Sequence, residues 1–198
     1  KIKVKGVDGA AKVVGFDSSD QTAYIVLSDG TLLVSGRNSY YQLGLNNSID
    51  QQTFVVSDIT DVVDVCCAND WAMVLLRDGT VRTIGYNNYG HLGSGNTTNQ
   101  QSWTISPITN VYKIASGTSH TVALKNDGTV WTVGYNNYGQ LSNGGTSNVY
   151  TWTEVNYNSI PRDISATIID ISAASYKTII MVEQNNIKRG YFCGYGYY

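Results

Sequence analysis

Short runs of alternating apolar and polar residues, separated by glycine-containing turns, dominate the chain. Residues 121–124 and 130–133, for example, flank an Asp-Gly turn. A period of two is typical of a half-buried β-strand, and Asp-Gly between two such runs is a strong hairpin signal because the turn needs positive φ. Apolar residues do not recur at helical spacing over any useful length. The pattern therefore predicts an all-β protein.

The same hairpin recurs at a fixed spacing along the chain. An Asp-Gly-Thr turn appears three times, 49 residues apart, and opens at Asp29, Asp78 and Asp127. A glycine follows seven residues after each of these aspartates, at Gly36, Gly85 and Gly134. Each full copy also has an opening strand, such as residues 62–65, and a later outer strand, such as residues 101–105. A period near fifty with strand-like segments is typical of β-propeller blades.

The repeat predicts one partial β-propeller over residues 1–198. Residues 1–12 are expected to end a preceding blade, residues 13–61, 62–110 and 111–167 to form three blades, and residues 168–198 to form an incomplete blade. This makes about three and a half modules, whereas propellers close with about four to eight blades. We expect the other blades to lie in a longer polypeptide. Completion of the ring by a second copy or by another subunit is the alternative.

Composition narrows the classes of partner. Charged residues make up 14% of the chain, and the formal net charge is −2. Nucleic-acid binding needs a clustered basic surface, and the chain has no run of lysine and arginine, so no nucleic-acid partner is expected. The apolar stretches are too short for a membrane span. No pair of carboxylates, cysteines or histidines has the spacing of a catalytic or metal site, so we expect no catalytic residue, metal or cofactor.

The third copy carries a family resemblance. From Gly117 to Leu141 it reads Gly-x-x-His-Thr-x-Ala-Leu-x-x-Asp-Gly-Thr-Val-Trp-Thr-x-Gly-x-Asn-x-x-Gly-Gln-Leu. This closely resembles the regulator-of-chromosome-condensation repeat, and the second and first copies resemble it more loosely. The resemblance implies a seven-bladed β-propeller, of which this chain would be about half. The family includes nuclear guanine-nucleotide exchange factors, a secreted β-lactamase inhibitor, and bacterial and phage proteins of unassigned role.

Departures from the family pattern also carry information. Tyr41 aligns with Gly90 and Gly139, which predicts that the backbone there avoids a conformation open only to glycine. In the nuclear exchange factors an acidic protruding loop contacts the small GTPase, and this chain has no comparable insertion. The resemblance therefore implies a rigid interaction platform more strongly than it implies nucleotide exchange.

Candidate contact residues lie in the equivalent Gly-rich loops and in the outer strands. Residues identical in every copy are expected to serve the blade, whereas exposed residues that differ are free to serve a partner. His120 and Trp71, which align, are expected to be structural, and the three cysteines to be free thiols. Tyrosine offers a large contact area at low entropic cost. The candidate binding residues are Arg37, Tyr40, Tyr41, Tyr86, Tyr89, His91, Trp103, Tyr135, Tyr138 and Trp152.

The alternative for these tyrosines is that each packs over the neighbouring blade, and Trp103 and Trp152 either contact a partner at the rim or cover blade edges. We predict a non-enzymatic β-propeller scaffold for protein–protein interaction. The Asn, Tyr, Thr and Ser content favours a structural or surface component of a bacterial or phage assembly, and an extracellular, cell-surface or virion location over a nuclear one. A lectin-like propeller with one glycan pocket per blade is the first alternative, and exchange on a small GTPase is the second.

Overall fold

The computed structural model describes residues 10–14, 22–157 and 166–196. These residues form fifteen β-strands in four antiparallel sheets, and no helix occurs among them. The prediction of an all-β protein is confirmed. Each sheet is a meander in which strands that follow one another in sequence are hydrogen-bonded neighbours. We call the sheets blades 1 to 4 in chain order.

The strands have the following bounds. Blade 1 contains β1 (Ala10–Val14), β2 (Ala23–Leu27), β3 (Leu32–Gly36) and β4 (Gln51–Val56). Blade 2 contains β5 (Val62–Ala68), β6 (Trp71–Leu76), β7 (Val81–Gly85) and β8 (Gln100–Ser106). Blade 3 contains β9 (Val111–Ser116), β10 (His120–Lys125), β11 (Val130–Gly134) and β12 (Val149–Glu154). Blade 4 contains β13 (Ala166–Ala174), β14 (Lys177–Gln184) and β15 (Ile187–Gly194).

The edges of the repeat differ from the sequence-based expectation. Ala10 to Lys12 were expected to end a preceding blade, but they pair with β2 and so belong to blade 1. The register of this ladder shifts between Ala10 and Lys12. Residues 1–9, within the predicted end of the preceding blade, and residues 158–165, within the predicted blade of residues 111–167, lie outside the described residues.

The Asp-Gly turns all lie at one end of the blades, which we call the turn face. Gly30, Gly79 and Gly128 have φ of 90°, 81° and 80°, as the hairpin signal predicted. In blade 2 the hydroxyl and the backbone N–H of Thr80 donate to the Asp78 carboxylate and hold its pKa below its usual value. The Gly-rich loops that connect the third strand of a blade to the fourth lie at the opposite end, which we call the loop face.

Apolar side chains form clusters that are shared by neighbouring blades. One cluster joins blades 1 and 2, a second joins blades 2 and 3, and a third joins blades 3 and 4. The Trp71 side chain of blade 2 is 1% exposed, and its indole N–H donates to the Thr118 carbonyl 3.2 Å away in blade 3. Burial of one large side chain contributes about 2 kcal/mol, so these clusters hold the blades together as a stack.

His120 links blade 3 to blade 4. Its side chain is buried, and its Nε2 lies 3.0 Å from the Thr178 hydroxyl. The structural roles expected for His120 and Trp71 are confirmed by their burial and by their bonds to the neighbouring blade. None of the three cysteines forms a disulfide: Cys66 is buried, and Cys67 and Cys193 are half-buried.

Candidate functional site

A buried asparagine organises each loop of the loop face. In blade 3 the Asn136 side chain is fully buried; its Oδ1 accepts from the Leu141 N–H at 2.9 Å, and its Nδ2 donates to the Gly145 and Ser147 carbonyls at 3.0 and 3.1 Å. Asn38 and Asn87 make the corresponding bonds in blades 1 and 2. Because one amide bonds both ends of a loop, the loop keeps a fixed shape. Fixed loops in turn fix the tyrosines that they carry.

Tyrosine rings from successive blades meet on the loop face. Tyr40 of blade 1 and Tyr86 of blade 2 are in edge contact, with ring centroids 5.2 Å apart. Tyr89 of blade 2 and Tyr135 of blade 3 make the same kind of contact at 5.1 Å. Edge-to-face pairs at this distance are favourable by about 1 kcal/mol beyond the area they bury. The tyrosines therefore bridge the blades as well as facing outward.

The ring contacts continue into blade 4. Tyr138 of blade 3 lies 5.2 Å from Tyr176 and 4.9 Å from Tyr195, centroid to centroid. Tyr135 lies 5.8 Å from Tyr176. We call the whole set the tyrosine row, and it contains Tyr40, Tyr86, Tyr89, Tyr135, Tyr138, Tyr176 and Tyr195. The ring contacts form two groups, Tyr40 with Tyr86 and the other five tyrosines together, and between them they cross all three boundaries between blades.

Part of the tyrosine row is open to solvent. Tyr89, Tyr138, Tyr176 and Tyr195 are 38%, 43%, 37% and 39% exposed, whereas Tyr40, Tyr86 and Tyr135 are half-buried. Burial raises the pKa of Tyr86 above its usual value. The prediction named five members of the row: the alternative that they pack over the neighbouring blade is confirmed by their ring contacts, and their role in binding a partner stays a prediction. Each ring packs on a neighbour while four of them also present an open edge.

Arg37 lies at the blade 1 end of this surface. Its guanidinium is 3.4 Å from the Asp70 carboxylate of blade 2. Since the side chains are 42% and 21% exposed, the pair is screened by water and contributes at most about 1 kcal/mol. The positive charge of Arg37 is therefore already compensated where the tyrosine row begins.

His91 was predicted to contact a partner, and the structure corrects this prediction. Its side chain is fully buried, and its Nε2 donates to the Tyr86 carbonyl 2.7 Å away. The ring also packs on Trp71, with centroids 4.7 Å apart. Burial lowers its pKa from 6.5 to about 4. The residue therefore supports the tyrosine row from below and offers no surface to a partner.

Trp103 and Trp152 cover the joints between blades. The sequence had left open whether they contact a partner at the rim or cover blade edges, and the structure shows the second. The Trp103 indole N–H donates to the Ser57 hydroxyl at 3.2 Å, across the boundary of blades 1 and 2. The Trp152 indole N–H donates to the equivalent Ser106 hydroxyl at 2.8 Å, across the next boundary. These two residues lie away from the tyrosine row.

Tyr41 also lies apart from the row and packs, half-buried, against the core cluster of blades 1 and 2. Its φ is 67°, against 71° for Gly90 and 73° for Gly139. All three loops therefore share the left-handed conformation, which favours glycine but, as expected from Tyr41, is not open to glycine alone. For a residue with a Cβ, that conformation costs roughly 1–2 kcal/mol.

The loop asparagines bear on the lectin alternative. A glycan pocket beside the tyrosines of each blade would use side-chain amides to bond the sugar, but the Asn38, Asn87 and Asn136 amides are buried and bonded within their own loops. Among residues 10–14, 22–157 and 166–196, no group of three or more His, Cys, Asp or Glu side chains could hold a metal ion. The same residues include no helix with the length and apolar character needed to cross a membrane.

Sequence reasoning missed two features of these surfaces. Tyr176 belongs to the row but lies in the turn between β13 and β14, where the repeat carries no tyrosine, so the copy-to-copy alignment did not single it out. Lys125 and Trp131, on the turn face, line a pocket that was not anticipated. The sequence held a signal for this pocket, since Lys125 and Trp131 both differ from the residues at the same positions in the other copies.

Comparison with known families identifies the repeat. A family model of the regulator of chromosome condensation (RCC1) repeat matches residues 29–75, 78–124 and 127–181. A second model of this repeat matches residues 111–140. The matched segments together cover well over half of the chain. A search of curated proteins finds no match.

Solved structures show the same fold. Human WBSCR16 is 20% identical with a TM-score of 0.68, and the match covers 83% of this chain and 45% of that one. Prp20p from Saccharomyces cerevisiae is 15% identical with a TM-score of 0.70, over 90% of this chain and 47% of that one. Yeast RCC1 (Prp20) bound to Kap60 is 14% identical with a TM-score of 0.66, over 85% and 44%. The chain spans about half the length of these proteins, and at such identities the likeness shows the fold alone.

Proposed function

Because the chain belongs to the regulator of chromosome condensation (RCC1) repeat family, we propose that it is a β-propeller interaction module whose tyrosine row binds a protein partner. The observation that carries this proposal is that ring contacts cross every boundary between blades 1 and 4, with four tyrosines more than one-third exposed. Tyrosine is enriched among the residues that dominate binding energy, because it combines a large apolar face with a hydroxyl group.

The chemistry of the row also indicates the kind of partner surface. Its members carry no charge, and the Arg37 charge beside it is compensated by Asp70. A partner is therefore expected to present a largely uncharged surface with apolar and hydrogen-bonding groups. Protein binding has precedents on this fold, since Prp20p has been studied for its binding to Gsp1p and histones, and yeast RCC1 has been solved bound to Kap60.

For the setting, we propose a structural or surface component of a bacterial or phage assembly, in an extracellular, cell-surface or virion location. The support is compositional: only 14% of residues are charged, and the loops are rich in Asn, Tyr, Thr and Ser. Immunoelectron microscopy of the source particles or cells with an antibody against this chain tests the location. Label confined to the interior of cells would contradict it.

The test of the row uses variants of its exposed members. The double variant Tyr89→Ala/Tyr138→Ala is expected to weaken partner binding by roughly 30-fold or more, as the loss of an interface hot spot does. Tyr112→Ala is the matched control, because Tyr112 is 64% exposed and lies on β9 outside the row. Wild-type and variant chains would be compared as bait in quantitative pull-downs from the source organism, after their thermal midpoints have been matched. Equal recovery of the same proteins by all three chains would contradict the proposal.

Exchange on a small GTPase is the second candidate, since the family includes exchange factors. It predicts faster release of a labelled guanine nucleotide from a small GTPase of the same source when the chain is added. Unchanged release at saturating chain would remove this candidate and leave the interaction proposal intact.

A further inference from the structure

A pocket of about 270 Å³ lies between blades 2 and 3, at the turn face. Pro107, Ile108 and Thr109, from the connection between the two blades, form one side. The other side belongs to blade 3 and consists of Lys125, Trp131, Thr151 and Trp152. The volume lies just below the roughly 300–1,000 Å³ of pockets for drug-sized ligands. The pocket therefore has room for about one ring-sized group.

The two indoles present only their carbon surfaces to this pocket. The Trp131 N–H donates to the Thr129 hydroxyl at 2.9 Å, and the Trp152 N–H donates to the Ser106 hydroxyl at 2.8 Å. Both ring nitrogens are therefore satisfied within the protein. What remains for a ligand is π surface, which favours contact with C–H groups or with another flat ring.

Polar groups stand at the edge of this aromatic surface. The Lys125 ammonium lies 5.4 Å from the centre of the Trp131 ring and 3.7 Å from the Asp127 carboxylate. The lysine side chain is 19% exposed and the aspartate 57%. Asp127 lies outside the lining of the pocket and compensates the charge of the lysine, so the pocket has N–H donors from Lys125 with no net charge. The Thr109 and Thr151 hydroxyls add groups that both donate and accept.

The other blades show that the fold does not require this arrangement. At the position of Lys125, blades 1 and 2 have Leu27 and Leu76. At the position of Trp131 they have Leu33 and Arg82. A leucine at the end of the second strand avoids the partial burial of a charge, which is unfavourable unless it is compensated. Lys125 and Trp131 thus differ from the residues that the repeat uses elsewhere, as expected for residues that serve a ligand.

Trp152 is different, because its counterparts Trp103 and Phe54 are also aromatic. Trp103 makes the same indole-to-serine bond across its own blade boundary. Aromatic residues at this position therefore have a structural role in the repeat, and in blade 3 one of them also forms a wall of the pocket. This distinction supplies a matched control, because Trp103 can be altered without touching the pocket.

We propose that this pocket binds one neutral hexopyranose unit of a glycan. One face of a pyranose ring carries axial C–H groups that stack on an indole, while its edge carries adjacent hydroxyls that both donate and accept. The Lys125 ammonium and the threonine hydroxyls match such an edge, and the compensation of the lysine charge by Asp127 favours a neutral sugar over an anionic one. A proline ring would fill the apolar part but would make no hydrogen bond to the lysine or the threonine hydroxyls. The site lies on the turn face, so it is separate from the tyrosine row.

The first experiment titrates the folded chain with the methyl glycosides of glucose, galactose, mannose and N-acetylglucosamine. Saturation-transfer NMR identifies the bound sugar, and tryptophan fluorescence gives the affinity. A ligand of this size is expected to bind with a dissociation constant on the order of 1 mM. Absence of binding by all four glycosides at 20 mM would overturn the proposal. An acetylated triproline peptide is run in parallel, and binding of the peptide in place of the glycosides would equally overturn it.

The second experiment uses residues that the repeat itself supplies. Lys125→Leu and Trp131→Leu introduce the blade 1 residues, and each is expected to weaken binding of the glycoside at least tenfold. Trp103→Phe introduces the blade 1 residue at a site outside the pocket and is expected to bind as the wild type does. Two pocket variants are used so that a folding failure in one leaves the other informative. Unchanged affinity in both would place the sugar elsewhere and overturn the assignment.

Discussion

Two equivalent glycines of the Gly-rich loops, Gly44 in blade 1 and Gly93 in blade 2, are each under two separate constraints. Gly93 and Gly44 have φ of 68° and 65°, a region that favours glycine. They also lie under the indoles of Trp152 and Trp103, so that a methyl group at either position would overlap a ring. In blade 3 the equivalent residue is Ser142, with φ of 50°. The indole over Gly93 belongs to the fourth strand of the next blade, and the three described strands of blade 4 include no such strand to place an indole over Ser142. Ser142 shows that the backbone constraint alone can be met by another residue.

The two constraints can be separated by a pair of substitutions. Gly139→Ala tests the backbone constraint alone, since φ at this position is 73° and no atom lies within 4 Å of the added carbon. We expect it to lower the free energy of unfolding by about 1 kcal/mol. Gly93→Ala tests both constraints and is expected to lower the free energy of unfolding by about 2–4 kcal/mol, because the Trp152 ring must also move. Urea unfolding of the two variants measures the difference. Equal losses would mean that the indole adapts freely and that its contact with Gly93 is not a constraint.

At the scale of the element, hairpins were predictable and loops were not. The Asp-Gly turns follow from local chemistry, since positive φ at Gly30, Gly79 and Gly128 is a property of three or four residues. A loop has no periodicity, so only the comparison of copies separates Asn136, which is identical in all three, from Asn137, which is not, and that comparison does not show the hydrogen bonds that shape the loop. His91 was misassigned because identity across copies reveals a structural role, but a residue that differs can be structural too.

The buried asparagine predicts a sharp contrast between two adjacent amides. Asn136→Ala would remove the acceptor of the Leu141 N–H and the donor to two loop carbonyls, leaving buried polar groups without partners. Its cost should be about 2–4 kcal/mol. Asn137→Ala, one residue later and exposed, should change stability by less than about 0.5 kcal/mol. Thermal unfolding and proteolysis of the 135–148 loop provide the readout. Similar effects of the two changes would contradict the role assigned to Asn136.

At the scale of the whole molecule, the joints between blades use polar as well as apolar contacts. His91 lies beneath the tyrosine row of blades 1 and 2, and His120 binds the Thr178 hydroxyl between blades 3 and 4. Burial is the main reason that both have a pKa of about 4 in the folded chain, against an ordinary value of 6.5. The folded protein therefore keeps both imidazoles neutral at pH values where the unfolded chain protonates them.

This difference makes stability depend on pH in a defined direction. Between pH 6.5 and about 4 the unfolded chain binds more protons than the folded chain, so the free energy of unfolding is highest above pH 6.5 and falls as pH is lowered. From pH 7.5 to pH 5 each histidine should account for a loss of about 2 kcal/mol. His91→Gln tests the assignment with a residue that the repeat already uses, because Gln42 and Gln140 occupy the equivalent positions. Urea unfolding at several pH values should show about half of the wild-type loss in this variant. An undiminished pH dependence would show that groups other than His91 carry it, and that the buried imidazole does not limit stability in acid.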